Sequence, residues 1–147
     1  MHYLDIELDG IDENGKEKKY KLSDFKGENI IVYFYPQDDT PVCTQEANNF
    51  KDAMNELKKI AKVIGVSANN IEDHLEFKKK YGLNFILLSD KLNKLKDSFI
   101  EHNKHFTNIK RSTFIIDKNG EIIKSWEKVD VGEHIEDIMK YFNSIDK

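Results

Sequence analysis
Ile30 to Tyr35 reads I-I-V-Y-F-Y, a continuous β-branched and aromatic run that stops at Pro36. A strand without polar alternation is one buried on both faces, so this segment belongs near the centre of a sheet. Further on, Ala47, Phe50, Met54, Leu57 and Ile60 recur at spacings of three and four, the apolar stripe of an amphipathic helix. That helix is expected to open near Pro41 to Cys43, because Thr40 is a good N-cap residue and Pro41 suits the first helical position. Leu4 to Leu8 reads as a short strand, Asn14-Gly15 as a hairpin turn, and Ser23 as the cap of a short turn over Asp24-Phe25. The remaining pattern predicts a strand over Val63–Ser67, a helix over Ile71–Tyr81, a strand over Phe85–Leu88 and a helical stretch over Leu92–Ile100. Strands over Thr113–Asp117 and Glu121–Trp126 then flank Asn119-Gly120, and a last helix covers Glu133–Phe142.

The β-α-β-α-β order implies parallel strands joined by crossover helices, and the late strand pair adds antiparallel strands. The expected fold is therefore α/β, a central mixed β-sheet flanked by helices, which is the thioredoxin-like architecture. No repeat, low-complexity stretch or Pro/Gly/Ser-rich linker interrupts residues 1–147, which read as a single domain.

Composition narrows the function classes. Hydrophobic residues make up 39% and charged residues 34% of the 147, with a mean hydropathy of -0.65. No apolar run approaches the roughly 20 residues of a membrane helix, and Met1 to Asp5 lacks the basic and apolar regions of a secretory signal. A net charge of -4, with acids and lysines interleaved, lacks the basic footprint of a nucleic-acid binder. A single cysteine excludes any intrachain disulfide and fits a reducing, cytoplasmic setting. Of the 23 lysines and arginines, Arg111 is the one arginine. In so lysine-rich a chain, a retained arginine points either to chance survival on the surface or to a place that needs a planar, permanently charged fork.

Cys43 falls just inside a helix N-terminus, directly after the central strand. Free N–H groups and the positive end of the helix dipole favour an anion there, and the thiolate is the nucleophilic form. The alternative is a buried structural cysteine. The surrounding residues decide between the two. Tyr33 to Thr44 contain P-x-x-x-T-x-x-C at Pro36, Thr40 and Cys43, which resembles the active-site signature of peroxiredoxins. The longer string Y-P-x-D-D-T-P-x-C-T-x-E-A resembles the Q, or bacterioferritin-comigratory, subfamily. The resemblance continues through Val63–Ser67, Phe77–Tyr81 and Leu87–Asp90. It extends to Lys110–Asp117, similar to a late R-x-T-F-x-I-D strand that carries the family's catalytic arginine at Arg111.

The resemblance implies a thiol peroxidase of the thioredoxin-dependent type that acts on hydrogen peroxide and organic hydroperoxides without a cofactor or metal. Cys43 would attack one peroxide oxygen and become a sulfenic acid. Thr40 would hold the peroxide in line, and Arg111 would stabilise the thiolate and the leaving oxygen. Pro36, lacking an N–H, would pack as a lid, and Glu46 would orient Arg111 unless it is an exposed helical carboxylate. Tyr35 is assigned to core packing. Many Q-type members carry a resolving cysteine five residues after the first; here that position is Asn48. Reduction is therefore expected from an external thiol: thioredoxin, glutaredoxin or a low-molecular-weight thiol. The expected state is a monomer or weak homodimer. A sensor oxidised once at Cys43 is the competing reading, while a disulfide oxidoreductase would need a C-x-x-C pair. The histidines are dispersed, and His102-x-x-His105 lacks the companion ligands of a metal site. Lys78-Lys79-Lys80 reads as a solvated helix face, and Asn119-Gly120 as a turn rather than a phosphate loop.

Overall fold
A computed structural model describes residues 1–103 and 109–145. Among the described residues, seven strands form one sheet: β1 (Leu8–Ile11), β2 (Glu17–Tyr20), β3 (Ile30–Phe34), β4 (Lys62–Ser67), β5 (Ile86–Ser89), β6 (Ser112–Ile116) and β7 (Ile122–Trp126). The helices among the described residues are α1 (Pro41–Leu57), α2 (Ile71–Tyr81), α3 (Lys94–Glu101) and α4 (His134–Ile145). The spatial order is β2-β1-β5-β4-β3-β6-β7. Strands β3, β4 and β5 run parallel, while the β1–β5, β3–β6 and β6–β7 pairs are antiparallel. This is the mixed α/β sheet expected from the strand and helix pattern.

The run Ile30–Tyr35 is buried throughout, as its unbroken apolar character requires. Its side chains alternate between two cores. Ile31, Tyr33 and Tyr35 pack with α1, α2 and α4, whereas Ile30, Val32 and Phe34 pack with Phe99 of α3 and Phe114. Gly65 pairs with Tyr33 across β3 and β4, and a Cβ there would stand 3.0 Å from the Tyr33 ring. A side chain at 65 would push against that ring, which stacks on Phe50 of α1 at 4.4 Å.

The first strand lies later than Leu4–Leu8. Ladder partners exist only from Leu8 onward, opposite Tyr20. Tyr3 and Ile6 are buried by packing instead, and the Tyr3 hydroxyl donates to the Gly120 carbonyl at 2.7 Å. The Asn14-Gly15 turn fixes that register, with Gly15 at φ 83. Ser23 is not a cap. It sits inside a 3-10 turn spanning Leu22–Phe25, and Asp24 takes the Lys21 N–H at 2.9 Å. Elsewhere the elements lie within a few residues of expectation, and α2 ends at Gly82 in the left-handed conformation that glycine tolerates.

Candidate active site
The central strand delivers the chain to the C-terminal end of β3, where Pro36 to Thr40 turn it into α1. Cys43 is the third residue of α1 and is 2% exposed. Thr40 occupies the N-cap position with an extended backbone, φ -92 and ψ 157, but its side chain makes no capping bond. Its hydroxyl instead donates to the Gln37 carbonyl at 3.1 Å. Two consequences follow. The N–H groups of Val42 and Cys43 lie in the first helical turn, where no helix carbonyl is available to them. The Thr40 oxygen, its hydrogen engaged, presents lone pairs as an acceptor.

Arg111 reaches this point through strand pairing. Phe34 of β3 lies opposite Ser112 of β6 in the antiparallel register. The residue before β6 therefore stands beside the residue after β3, where α1 begins. Its backbone is fixed by Val129, whose N–H donates to the Arg111 carbonyl at 3.1 Å. The guanidinium then divides its donors. Nη1 donates to Glu46 Oε1 at 2.9 Å and Nη2 to Cys43 Sγ at 3.3 Å. Cys43 and Glu46 are three apart on α1, so they share a helix face and a single fork can reach both.

Glu46 is 2% exposed, so it is not a solvent-facing helical carboxylate. Burial pushes its carboxyl up to about 7, against the opposing pull of the Arg111 charge and hydrogen bond. For Arg111, burial works against the charged form, but the bonds and charges of Cys43 and Glu46 outweigh it and the net direction is up. Tyr33 lies beneath the same group. Burial, followed by the charges of Glu46 and Asp38, holds its hydroxyl well above the usual tyrosine range. Among the described residues, Tyr33 Oη and Glu46 Oε2 are buried without a hydrogen-bond partner.

The structure thus brings Cys43, Glu46 and Arg111 into direct contact, with Thr40 at the helix mouth. Pro36 is exposed, so any cover it provides lies on the solvent side of the loop. It lines a cavity of about 510 Å³ shared with Phe34, Tyr35, Ala68 and Ile109. Asn48, five residues after Cys43, is half-buried on α1. Tyr35 is in the core, but it also has a polar role: its hydroxyl donates to Asp38 at 2.5 Å. Asp38, Asp39 and His74 were not singled out by sequence reasoning. The paired aspartates inside the motif were the available signal, since loop carboxylates beside a nucleophile need partners. Among the described residues, no group of three or more His, Cys, Asp or Glu is placed to hold a metal ion. His105 lies outside the described residues. Lys79 and Lys80 are exposed as expected, but Lys78 is buried, donating to the Leu83 and Phe85 carbonyls at 2.5 and 3.3 Å in the segment that connects α2 to β5.

Comparison with known proteins matches residues 2–125 to the AhpC/TSA family. The peroxiredoxin Bcp of Bacillus subtilis is 43% identical over 143 residues, covering 92% of this chain and 88% of that protein. A putative peroxiredoxin bcp of Coxiella burnetii is 42% identical over 125 residues, covering 80% and 83%. Among solved structures, peroxiredoxin Q of Xanthomonas campestris superposes with a TM-score of 0.86 at 30% identity, covering 99% of this chain and 94% of that one. The bacterioferritin comigratory protein of the same organism, studied as trapped intermediate and ligand complexes for its alkyl peroxide reduction, gives 0.86 at 29% identity with the same coverage.

Proposed function
The chain belongs to the AhpC/TSA family, among its Bcp and peroxiredoxin Q members, and from that premise we propose how its own residues divide the work of a thiol peroxidase. The observation that carries the reading is the Arg111 fork, which holds Cys43 Sγ and Glu46 Oε1 at once. Cys43 as thiolate attacks one oxygen of a hydroperoxide. The S–O bond forms as the O–O bond breaks, sulfur is oxidised by two electrons, and the leaving oxygen takes a proton and departs as water or an alcohol. Arg111 opposes the charge on sulfur and the charge growing on the leaving oxygen. Thr40, with its hydrogen held by Gln37, accepts from the peroxide O–H and keeps the O–O axis in line with sulfur. The N–H groups of Val42 and Cys43 add fixed donors at the helix mouth. Glu46 holds the guanidinium in register, and Pro36 covers the loop from the solvent side.

Hydrogen peroxide and organic hydroperoxides are the substrate class, supported by the alkyl peroxide reduction described for the Xanthomonas protein. Cys43 is the one cysteine, so the sulfenic acid meets an external thiol. That thiol condenses with it, releasing water and leaving a mixed disulfide. A second thiol then restores Cys43 and leaves as the disulfide product. Thioredoxin, glutaredoxin and low-molecular-weight thiols are the candidates. The protein works as a single cytoplasmic domain, a monomer or weak homodimer, and no helix among its described residues is long and apolar enough to cross a membrane. The test is peroxide consumption with each thiol in turn. Continuous turnover with one of them supports the reading, whereas consumption that stops near one equivalent in every case would make the protein a one-shot sensor.

A further inference from the structure
The loop that carries Thr40 has few apolar side chains to hold it, yet it must place a hydroxyl over Cys43 within tight limits. Its fixation comes from two successive aspartates, both bound to α2. Asp38 is buried, and each of its carboxylate oxygens is engaged. Oδ1 accepts from Tyr35 Oη at 2.5 Å, and Oδ2 meets His74 Nδ1 at 2.6 Å. The His74 ring is 0% exposed, and its Nε2 lies 2.9 Å from the Leu88 carbonyl. A carbonyl oxygen has no hydrogen to give, so Nε2 carries one. The close approach of Nδ1 to a carboxylate oxygen then requires a second proton between them. Asp38 and His74 therefore form a proton-sharing pair that locks the loop to α2 and, through Leu88, to β5. The backbone N–H of Asp38 is also taken, by Asn69 Oδ1 at 2.9 Å.

Asp39 repeats the device on the surface. It holds a left-handed backbone, φ 59, which a side-chain-bearing residue adopts at a cost and only where its surroundings impose it. Those surroundings are Tyr81 Oη and Lys80 Nζ of α2, at 2.6 and 2.8 Å from its two oxygens. One residue later the chain reaches Thr40.

We propose that α2 is the positioning platform of the active-site loop. In this arrangement His74 acts through Asp38, and Tyr81 with Lys80 through Asp39, to hold Thr40 over the sulfur. None of these residues touches the reacting atoms. The inference rests on the peroxidase reading and deepens it by naming residues that set the rate of peroxide attack.

The test compares two reactions of Cys43 in the full chain: oxidation by hydrogen peroxide, which needs Thr40 in place, and alkylation by iodoacetamide, which does not. His74→Phe keeps the ring's bulk but loses both hydrogen bonds. It should slow peroxide oxidation by about ten- to a hundredfold, the scale of a small misplacement of reacting groups, with alkylation slowed much less. Asp38→Asn should restore the arrangement, because its amide can donate to Nδ1 of a neutral His74 while Nε2 still donates to Leu88. That variant should keep most of the wild-type peroxide rate. Tyr81→Phe removes one hydroxyl at the surface without threatening the fold, and should slow peroxide oxidation severalfold. A folded His74→Phe with the wild-type peroxide rate would overturn the proposal, as would equal losses in both reactions. If His74→Phe does not fold, an unchanged rate in Tyr81→Phe together with a large loss in Asp38→Asn overturns it. Wild-type protein that fails to consume peroxide would instead overturn the peroxidase reading itself.

Discussion
Replacing Arg111 with lysine keeps the charge and removes the fork, and its effect follows from two distances. Nη2 stands 3.3 Å from Cys43 Sγ while Nη1 stands 2.9 Å from Glu46 Oε1. An ammonium is a compact point charge on a flexible stem and cannot hold both partners in the guanidinium's fixed geometry. Glu46, buried and carboxylate-bearing, is the stronger attractor, so lysine should settle there and leave the sulfur. A hydrogen bond involving a charged group is worth about 1.5–3 kcal/mol. At about 1.36 kcal/mol per decade, its loss slows the chemical step about ten- to 150-fold. The Arg111 side chain is only 18% exposed, so solvent takes little from that figure. Arg111→Gln, which loses the charge as well, should fall further, toward about a thousandfold. The assay is the second-order rate of Cys43 oxidation by hydrogen peroxide, read by rapid quench and mass spectrometry. An Arg111→Lys rate within about threefold of wild type would show that the planar fork contributes nothing, and the argument from the solitary arginine would fail.

Cys43→Ser should lower peroxide consumption below about 5% of wild type, because no other soft nucleophile is present; more activity than that would place the reaction elsewhere. Glu46 and His134 should tilt thermal stability in opposite senses with pH. Burial raises Glu46 in the folded state to about 7 from 4.5, so the folded chain binds the extra proton and this group's contribution falls as pH rises through that window. Burial lowers His134 to about 4 from 6.5, so its contribution is complete above 6.5 and is lost as pH falls toward 4. Melting temperatures of Glu46→Gln and His134→Asn, followed against wild type from pH 4 to 7.5, should therefore diverge with opposite slopes, and parallel curves would contradict both assignments. With Asn48 in place of a resolving cysteine, graded peroxide without reductant should add one oxygen and then two or three to the Cys43 peptide. A dominant Cys43–Cys43 disulfide between two chains would refute that expectation.

Much of the fold was legible because its strongest signals are long and periodic. The unbroken run Ile30–Tyr35 could only be an interior strand, and the stripe from Ala47 to Leu57 could only be a helix face against it. The weakest reading was the N-terminus, for a physical reason. Leu4 and Ile6 are apolar because they pack on the core beside Phe99 and Phe114, and packing alone does not make a ladder. A strand needs a neighbour, and the neighbour's register was set by a turn several residues further on. Ser23 misled because the turn begins earlier than expected: the cap position falls on Lys21, whose N–H goes to Asp24, and the Ser23 N–H goes to the Leu4 carbonyl.

The site divides along the same line. Cys43 and Arg111 stood out by their chemistry, a lone thiol at a helix mouth and a single guanidinium among lysines, whereas Thr40 and Glu46 were singled out through the resemblance to the peroxiredoxin motif. Their meeting was implied by that resemblance and not by the residues alone, since it depends on Phe34 lying opposite Ser112 rather than one residue away. A slip of one position in that pairing would send Arg111 to the other face of the sheet, into the core built around Phe99. The supporting residues were hidden more deeply. His74 sits on a helix whose apolar pattern it does not disturb, and nothing in its local sequence marks it as the partner of a carboxylate 36 positions away. What sequence does carry is the demand side of that contact. A loop that must hold a hydroxyl still and contains two adjacent aspartates calls for partners, and the one that is buried, Asp38, cannot leave its charge unanswered. The answer had to come from whichever element packs beside the loop, and the right-handed crossover from β4 to β5 makes that element α2.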